Sequence, residues 1–170
     1  MSTKFWSDPR LDPKRSYRFV VYVDNLPPFI AKTCTKPTFQ VGVSKHKYLN
    51  HTFKFPTTVE WQDITIKFAD PAGGDGSDVT NEFVKRLQGA GYTYPTDPTQ
   101  LSTVGRDKAV LALGQVTVQQ INSDGEPVEE WKLHNAFVSN VTFGELSYES
   151  DAMVEISVTV VYDYAKISVQ

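Results

Sequence analysis

Side chains able to do metal or nucleophile chemistry are few in this chain of 170 residues: three histidines, His46, His51 and His134, and one cysteine, Cys34. Imidazole and thiolate bind zinc and form nucleophile–base pairs, but both roles need short, regular spacing or a third orienting group. Neither a C-x-x-C nor an H-x-x-x-H pair occurs. A lone cysteine forms no internal disulfide, which fits a reducing cytosol or independence of oxidation. Asp70, Asp75 and Asp78 flank glycines in DPAGGDGSD, a faint likeness to a calcium loop. The alternate-ligand spacing and the closing bidentate glutamate are missing, so the segment reads as a loop capping a helix. There is no G-x-S-x-G elbow and no G-x-x-x-x-G-K phosphate loop. Glu126, Glu129 and Glu130 form a carboxylate cluster that reads as the solvated face of a hairpin arm. Lys45-His46-Lys47 with Tyr48 makes a basic and aromatic patch, too short for a nucleic-acid footprint in a chain of net charge −3. No metal, no cofactor and no catalytic constellation is expected.

The elements that carry these residues are mostly strands. Aromatics make up 12% of the chain, and large stiff rings suit β layers. In Met153–Tyr164 the residues Val154, Ile156, Val158, Val160, Tyr162 and Tyr164 share one face, a strict period of two. Phe137, Ser139, Val141 and Phe143 share a face before it, the parity flips at Gly144-Glu145, and a β-bulge is expected there. Tyr17–Asp24 and Phe29–Thr35 read as strands, as do Gln115–Ile121 and Val128–Leu133. Phe39–Phe55 reads as a long hairpin with a basic, little-buried tip at Ser44–His51. Val59–Asp70 reads as one strand with a second bulge near Gln62-Asp63. Asp78–Gln88 is the single convincing helix, with Val79, Phe83, Val84 and Leu87 on one stripe. Ala109–Leu113 fits helix and strand equally. The expected fold is mainly β: an antiparallel β-sandwich or barrel with one flanking α-helix and a long protruding hairpin.

Residues 1–16 read as an arm, broken by Asp8-Pro9 and Asp12-Pro13 yet carrying Phe5, Trp6 and Leu11, too apolar for a free tail. No apolar run is long enough to cross a bilayer, and the first residues lack a signal-peptide core. Charge is unevenly spread. Residues 1–54 hold ten basic and three acidic residues, and residues 109–170 hold two basic and nine acidic ones. Either the two ends cancel within one subunit, or successive copies attract head to tail.

Three blocks together resemble the tail tube protein of contractile-tailed bacteriophages, related to the type VI secretion tube family. They are Tyr17-Arg-Phe-Val-Val-Tyr-Val-Asp24 after an arm, and Val59-Glu-Trp-Gln-Asp-Ile-Thr-Ile-Lys-Phe68 leading into the helix. The third is the run from Ala136-Phe137 to Phe143-Gly-Glu-Leu-Ser-Tyr148, then Val154-Glu-Ile-Ser-Val-Thr-Val-Val-Tyr-Asp-Tyr164. The likeness spans most of residues 17–164. It implies a structural protein and not an enzyme, a homohexamer whose rings stack into a hollow tube inside a sheath. The partners implied are sheath and baseplate proteins, with non-specific passage of double-stranded DNA and no membrane insertion of its own. The place implied is the virion tail, assembled in the host cytoplasm. Residues 1–16 would be a docking arm, 17–164 the tube domain, and 165–170 an extension past the last strand.

Roles follow for particular residues on that likeness. Lys45, Lys47, Tyr48 and Leu49 at the hairpin tip would meet the next ring. Phe5, Trp6 and Leu11 would dock on a neighbour or the outer surface. Glu155 and Asp163 would line the channel, where acids repel phosphate. Sibling roles remain open: a tube-initiating baseplate protein, a tail terminator, or a secretion-system tube. A monomeric ligand-binding β-barrel is the alternative from another class, with an enzyme behind it.

Overall fold

A computed structural model describes residues 7–72, 78–96 and 98–169. Ten strands and two α-helices are present among them: β1 (Phe19–Val23), β2 (Ala31–Cys34), β3 (Thr38–Tyr48), β4 (His51–Gln62), β5 (Ile64–Ala69), α1 (Val79–Gly89), α2 (Arg106–Leu113), β6 (Val116–Ile121), β7 (Pro127–His134), β8 (Phe137–Thr142), β9 (Glu155–Val161) and β10 (Tyr164–Val169). One antiparallel sheet has the order β1-β6-β7-β10 and a second β2-β5-β9-β8, while β3 and β4 pair only with each other. Both four-stranded sheets keep free edges, so the fold is a sandwich and not a closed barrel. No helix among the described residues is long and apolar enough to cross a membrane.

The core lies between the inward faces of the two sheets. Val21, Val116, Val118 and Leu133 of the first meet Ile64, Ile66, Phe68, Ile156, Val158 and Val160 of the second. The alternation read along β9 is the alternation found: Ile156, Val158 and Val160 are buried and their neighbours are not. β9 is a central strand, paired with β5 on one side and β8 on the other. It therefore needs no charge or proline to guard an edge.

Several expectations about local structure are corrected. Tyr162-Asp163 interrupts the long terminal strand, and residues 165–169, expected beyond the last strand, belong to β10 and pair with β7. The parity change near Gln62-Asp63 is no bulge: Asp63 is where the chain leaves the hairpin for the second sheet. The bulge in β8 falls at Ser139, whose hydroxyl reaches Thr159 O at 3.3 Å, and not at Gly144-Glu145. That shift turns Val138 and Val141 toward the core.

Two helices flank the sandwich where one was expected. α1 begins as read, with the Asp78 carboxylate accepting from Thr80 N at 2.9 Å. α2 starts without a side-chain cap, and Gly114 ends it at a φ of 76°. Arg86 of α1 ties the ends together. Its guanidinium donates to the carbonyls of Ala112 and Leu113, at 3.2 and 2.5 Å, and to Asp24 O at the end of β1. The Ala112 and Leu113 carbonyls are at the C-terminal end of α2, where a helix leaves acceptors unsatisfied. Burial lowers the Arg86 pKa from its ordinary value, partly offset by Glu82 and Asp24. Replacement Arg86→Leu removes charge-assisted hydrogen bonds and should cost about 2 kcal/mol of stability, read as a lower urea midpoint with an unchanged slope.

Candidate functional site

The β3–β4 hairpin is the feature the core does not explain. From Phe39 to Tyr48 it runs about 30 Å at ordinary strand rise. Its cross-strand register is continuous from Thr38↔Gln62 to Tyr48↔His51, with one shift between Val41 and Val43. There the β4 side carries an extra residue beside Pro56, which has no N–H to lose at a bulge. Gly42 faces that irregularity: a Cβ on it would lie 2.3 Å from Thr57 Oγ1. The turn is Leu49-Asn50, and Leu49 has a φ of 53°, uncommon for a branched side chain.

Register and period assign two unlike faces to the ribbon. One face carries Phe39, Val41 and Val43 against Trp61, Val59 and Pro56 at the root, then Lys45 and Lys47 against Lys54 and Thr52 at the tip. The other carries Gln40 and Glu60 at the root, then Phe55, His46, Phe53, Tyr48 and His51 at the tip. His51 packs edge-on against Phe53 at 4.8 Å. Phe39, Val43, Phe53, Phe55, Val59 and Tyr48 are all exposed, and Leu49 is 87% exposed. Lys45 stands directly opposite Lys54, and like charges so placed repel. None of Lys45, Lys47 and Lys54 has a carboxylate partner among the described residues.

The root is held by rings. Trp61 sits 5.5 Å from Phe39, 6.4 Å from Trp131 of β7 and 6.2 Å from Tyr162. Beside Trp131 lies Glu129, expected on a solvated face but 5% exposed. Its carboxylate accepts from Lys14 of the arm, from Lys36 at 2.9 Å just before β3, and from the Trp131 indole. Burial pushes the Glu129 pKa up, but those three donors outweigh it and bring it down to about 2. The odd parity of Glu129, Trp131 and Leu133 in β7 was the readable signal that the carboxylate points inward.

The arm docks through polar groups. Besides Lys14, the Arg15 carbonyl accepts from Gln120 Nε2 at 3.2 Å, and Arg18 pairs with Asp12 at 2.6 Å. Leu11 is 46% exposed, and Phe5 and Trp6 lie outside the described residues. Glu155 is half-exposed and paired with Lys32, which lowers its pKa through hydrogen bonding and charge. Asp163 is paired with Arg106 and accepts from Asn135 Nδ2 at 2.8 Å. Basic residues of the first third therefore meet acids of the last third inside one chain, at Lys14 and Lys36 with Glu129 and at Lys32 with Glu155.

Two open cavities lie outside the hairpin. An apolar groove of about 620 Å³ lies between α1, α2 and β8, lined by Phe83, Leu87, Leu113, Val138, Val141 and Phe143. Its one ionisable lining residue is Arg86, already bound to carbonyls. A second, of about 680 Å³, is bordered by Tyr17, Lys32, Cys34, Lys36 and Trp131. Burial pushes the Cys34 thiol up to about 12, far from a reactive thiolate. Among the described residues no three histidine, cysteine, aspartate or glutamate side chains stand together as metal ligands would.

A family model described as T4-like virus tail tube protein gp19 matches residues 15–166. No curated protein matches. Among solved structures, the anti-feeding prophage tube-terminating cap aligns over all of both chains at 17% identity and a TM-score of 0.68. A chain of the PVC sheath/tube terminator, from an extracellular contractile injection system, aligns over 92% of this chain and 97% of its own, at 17% identity and 0.65. A chain of the anti-feeding prophage baseplate aligns over 92% and 96%, at 16% and 0.64.

Glu129 makes the domain acid-sensitive. Its folded pKa lies below the ordinary 4.5, so its contribution is complete above about pH 4.5 and fades as pH falls toward 2. Glu129→Gln should lower stability at neutral pH by about 2 kcal/mol, allowing for half-exposed lysine partners. The gap from the wild type should close by about pH 2, as urea unfolding across a pH series would record.

Proposed function

The chain belongs to the family of the T4-like virus tail tube protein gp19, and from that premise we propose that it is the repeated subunit of a contractile tail tube. Six copies close into a ring, rings stack into a hollow tube within a sheath, and the channel carries double-stranded DNA. The observation that carries this reading is the hairpin. A lone two-stranded ribbon with apolar residues on both faces is marginal in water unless something covers it, and its own sandwich covers little of it beyond Trp61. A second copy is the natural cover, because a head-to-tail contact between identical chains repeats and gives rings or filaments.

Within this reading the tip residues Lys45, Lys47, Tyr48 and Leu49 contact the next ring, with Tyr48 and Leu49 as buried anchors. Phe5, Trp6 and Leu11 form the inter-subunit arm. Glu155 and Asp163 line the channel. Each is paired with a cation of its own chain, which leaves these two positions close to neutral and with no unpaired ammonium of their own to hold phosphate by counterion release.

Deleting Lys45–Asn50 should leave a folded monomer by circular dichroism and urea unfolding, and negative-stain microscopy should show no long tubes. Long tubes from that variant would overturn the hairpin's role. Replacement Glu155→Lys should still allow tube formation but slow genome passage. Ejection at the wild-type rate would remove Glu155 from the channel wall.

A further inference from the structure

We propose that Glu129 is a single anchor for which the N-terminal arm and the hairpin root compete, so that releasing the arm tightens the hairpin. One buried carboxylate serves two cations. Lys14 belongs to the arm and reaches Oε2, while Lys36 stands two residues before β3 and reaches Oε1 at 2.9 Å. The carboxylate is 6% exposed and the two lysine side chains about half exposed. The attraction of the carboxylate for each ammonium is therefore reduced by the other ammonium, which is bound to the second oxygen of the same carboxylate. Removing either lysine strengthens the hold on the one that remains. Removing both leaves a buried charge with only the Trp131 indole as donor, which is far more costly than either single loss.

The geometry gives this competition something to move. Beside Lys14 the arm is held by a hydrogen bond from Gln120 to the Arg15 carbonyl and by the Asp12–Arg18 ion pair, and neither is a strand-pairing hydrogen bond. The Lys36 side leads directly into Thr38↔Gln62 and Phe39↔Trp61, the first pairs of the hairpin. Trp131, which shares Glu129 with both lysines, packs on Trp61. Capture of the arm by another molecule would thus transfer the whole carboxylate to the hairpin root. The inference concerns the isolated chain, and its success or failure is separate from whether the chain builds tubes.

The test uses the full chain and the variants Lys14→Ala, Lys36→Ala and the pair together. Amide hydrogen exchange reports the root, at Thr38–Val41 and Val59–Gln62, and trypsin cleavage after Arg15 reports the arm. Lys14→Ala should slow exchange at the root about threefold, and Lys36→Ala should slow cleavage of the arm by a similar factor. The double variant should shift the unfolding equilibrium about tenfold more than the product of the two single shifts. If the double variant does not fold, the opposite responses of the two single variants decide the matter. Faster or unchanged root exchange in Lys14→Ala would overturn the proposal, the first by making the cluster a cooperative clamp and the second by uncoupling its two arms. Strictly additive stabilities would overturn it as well.

Discussion

A two-stranded ribbon has no interior, and the whole use of β3–β4 depends on how its root is fixed. The fixing is aromatic. Trp61 touches Phe39 within the ribbon, Trp131 in the first sheet and Tyr162 at the end of β9. One side chain thus joins the hairpin to both layers of the sandwich. Ring pairs of this kind add roughly 0.5–1.5 kcal/mol each beyond the area they bury. Without them the ribbon would hang from the short links at residues 35–37 and at Asp63, free to swing, and a tip some 30 Å away would have no defined position.

Electrostatics follows the same economy of contacts. The chain's basic start and acidic end suggest a molecule polarised along its length, but the fold brings them side by side. Lys14, Lys36 and Lys32 are each matched to an acid of the last third. Among the described residues the closest grouping of lysines without an ion pair is at the tip, where Lys45, Lys47 and Lys54 share one face of the ribbon. Screening by salt acts on that patch over roughly 10 Å at 0.1 M.

Period and punctuation made much of this legible in the sequence. The β9 alternation, the Asp78 cap and the polar basic tip depend on neighbours a few residues away, and each appears where the pattern places it. Features set by distant partners were not legible. α2 has apolar residues all round, Ala109 to Leu113, so no stripe distinguishes helix from strand. The step at Asp63 looks like a bulge because a change of sheet and an extra residue both reverse parity. Glu129 looked solvated because its partners lie 93 and 115 residues away along the chain.

The opposed pair Lys45↔Lys54 costs the free hairpin some stability, and its effect is on timing. A ribbon with both edges unpaired is a template for another ribbon, and lysine is the residue that most often blunts such edges. Two tips of free subunits that approach each other bring six ammonium groups together. Their mutual repulsion opposes edge-to-edge pairing of two free tips. A surface that supplied carboxylates would lift that barrier, so like-charge repulsion would discriminate between an acidic neighbour and a second tip.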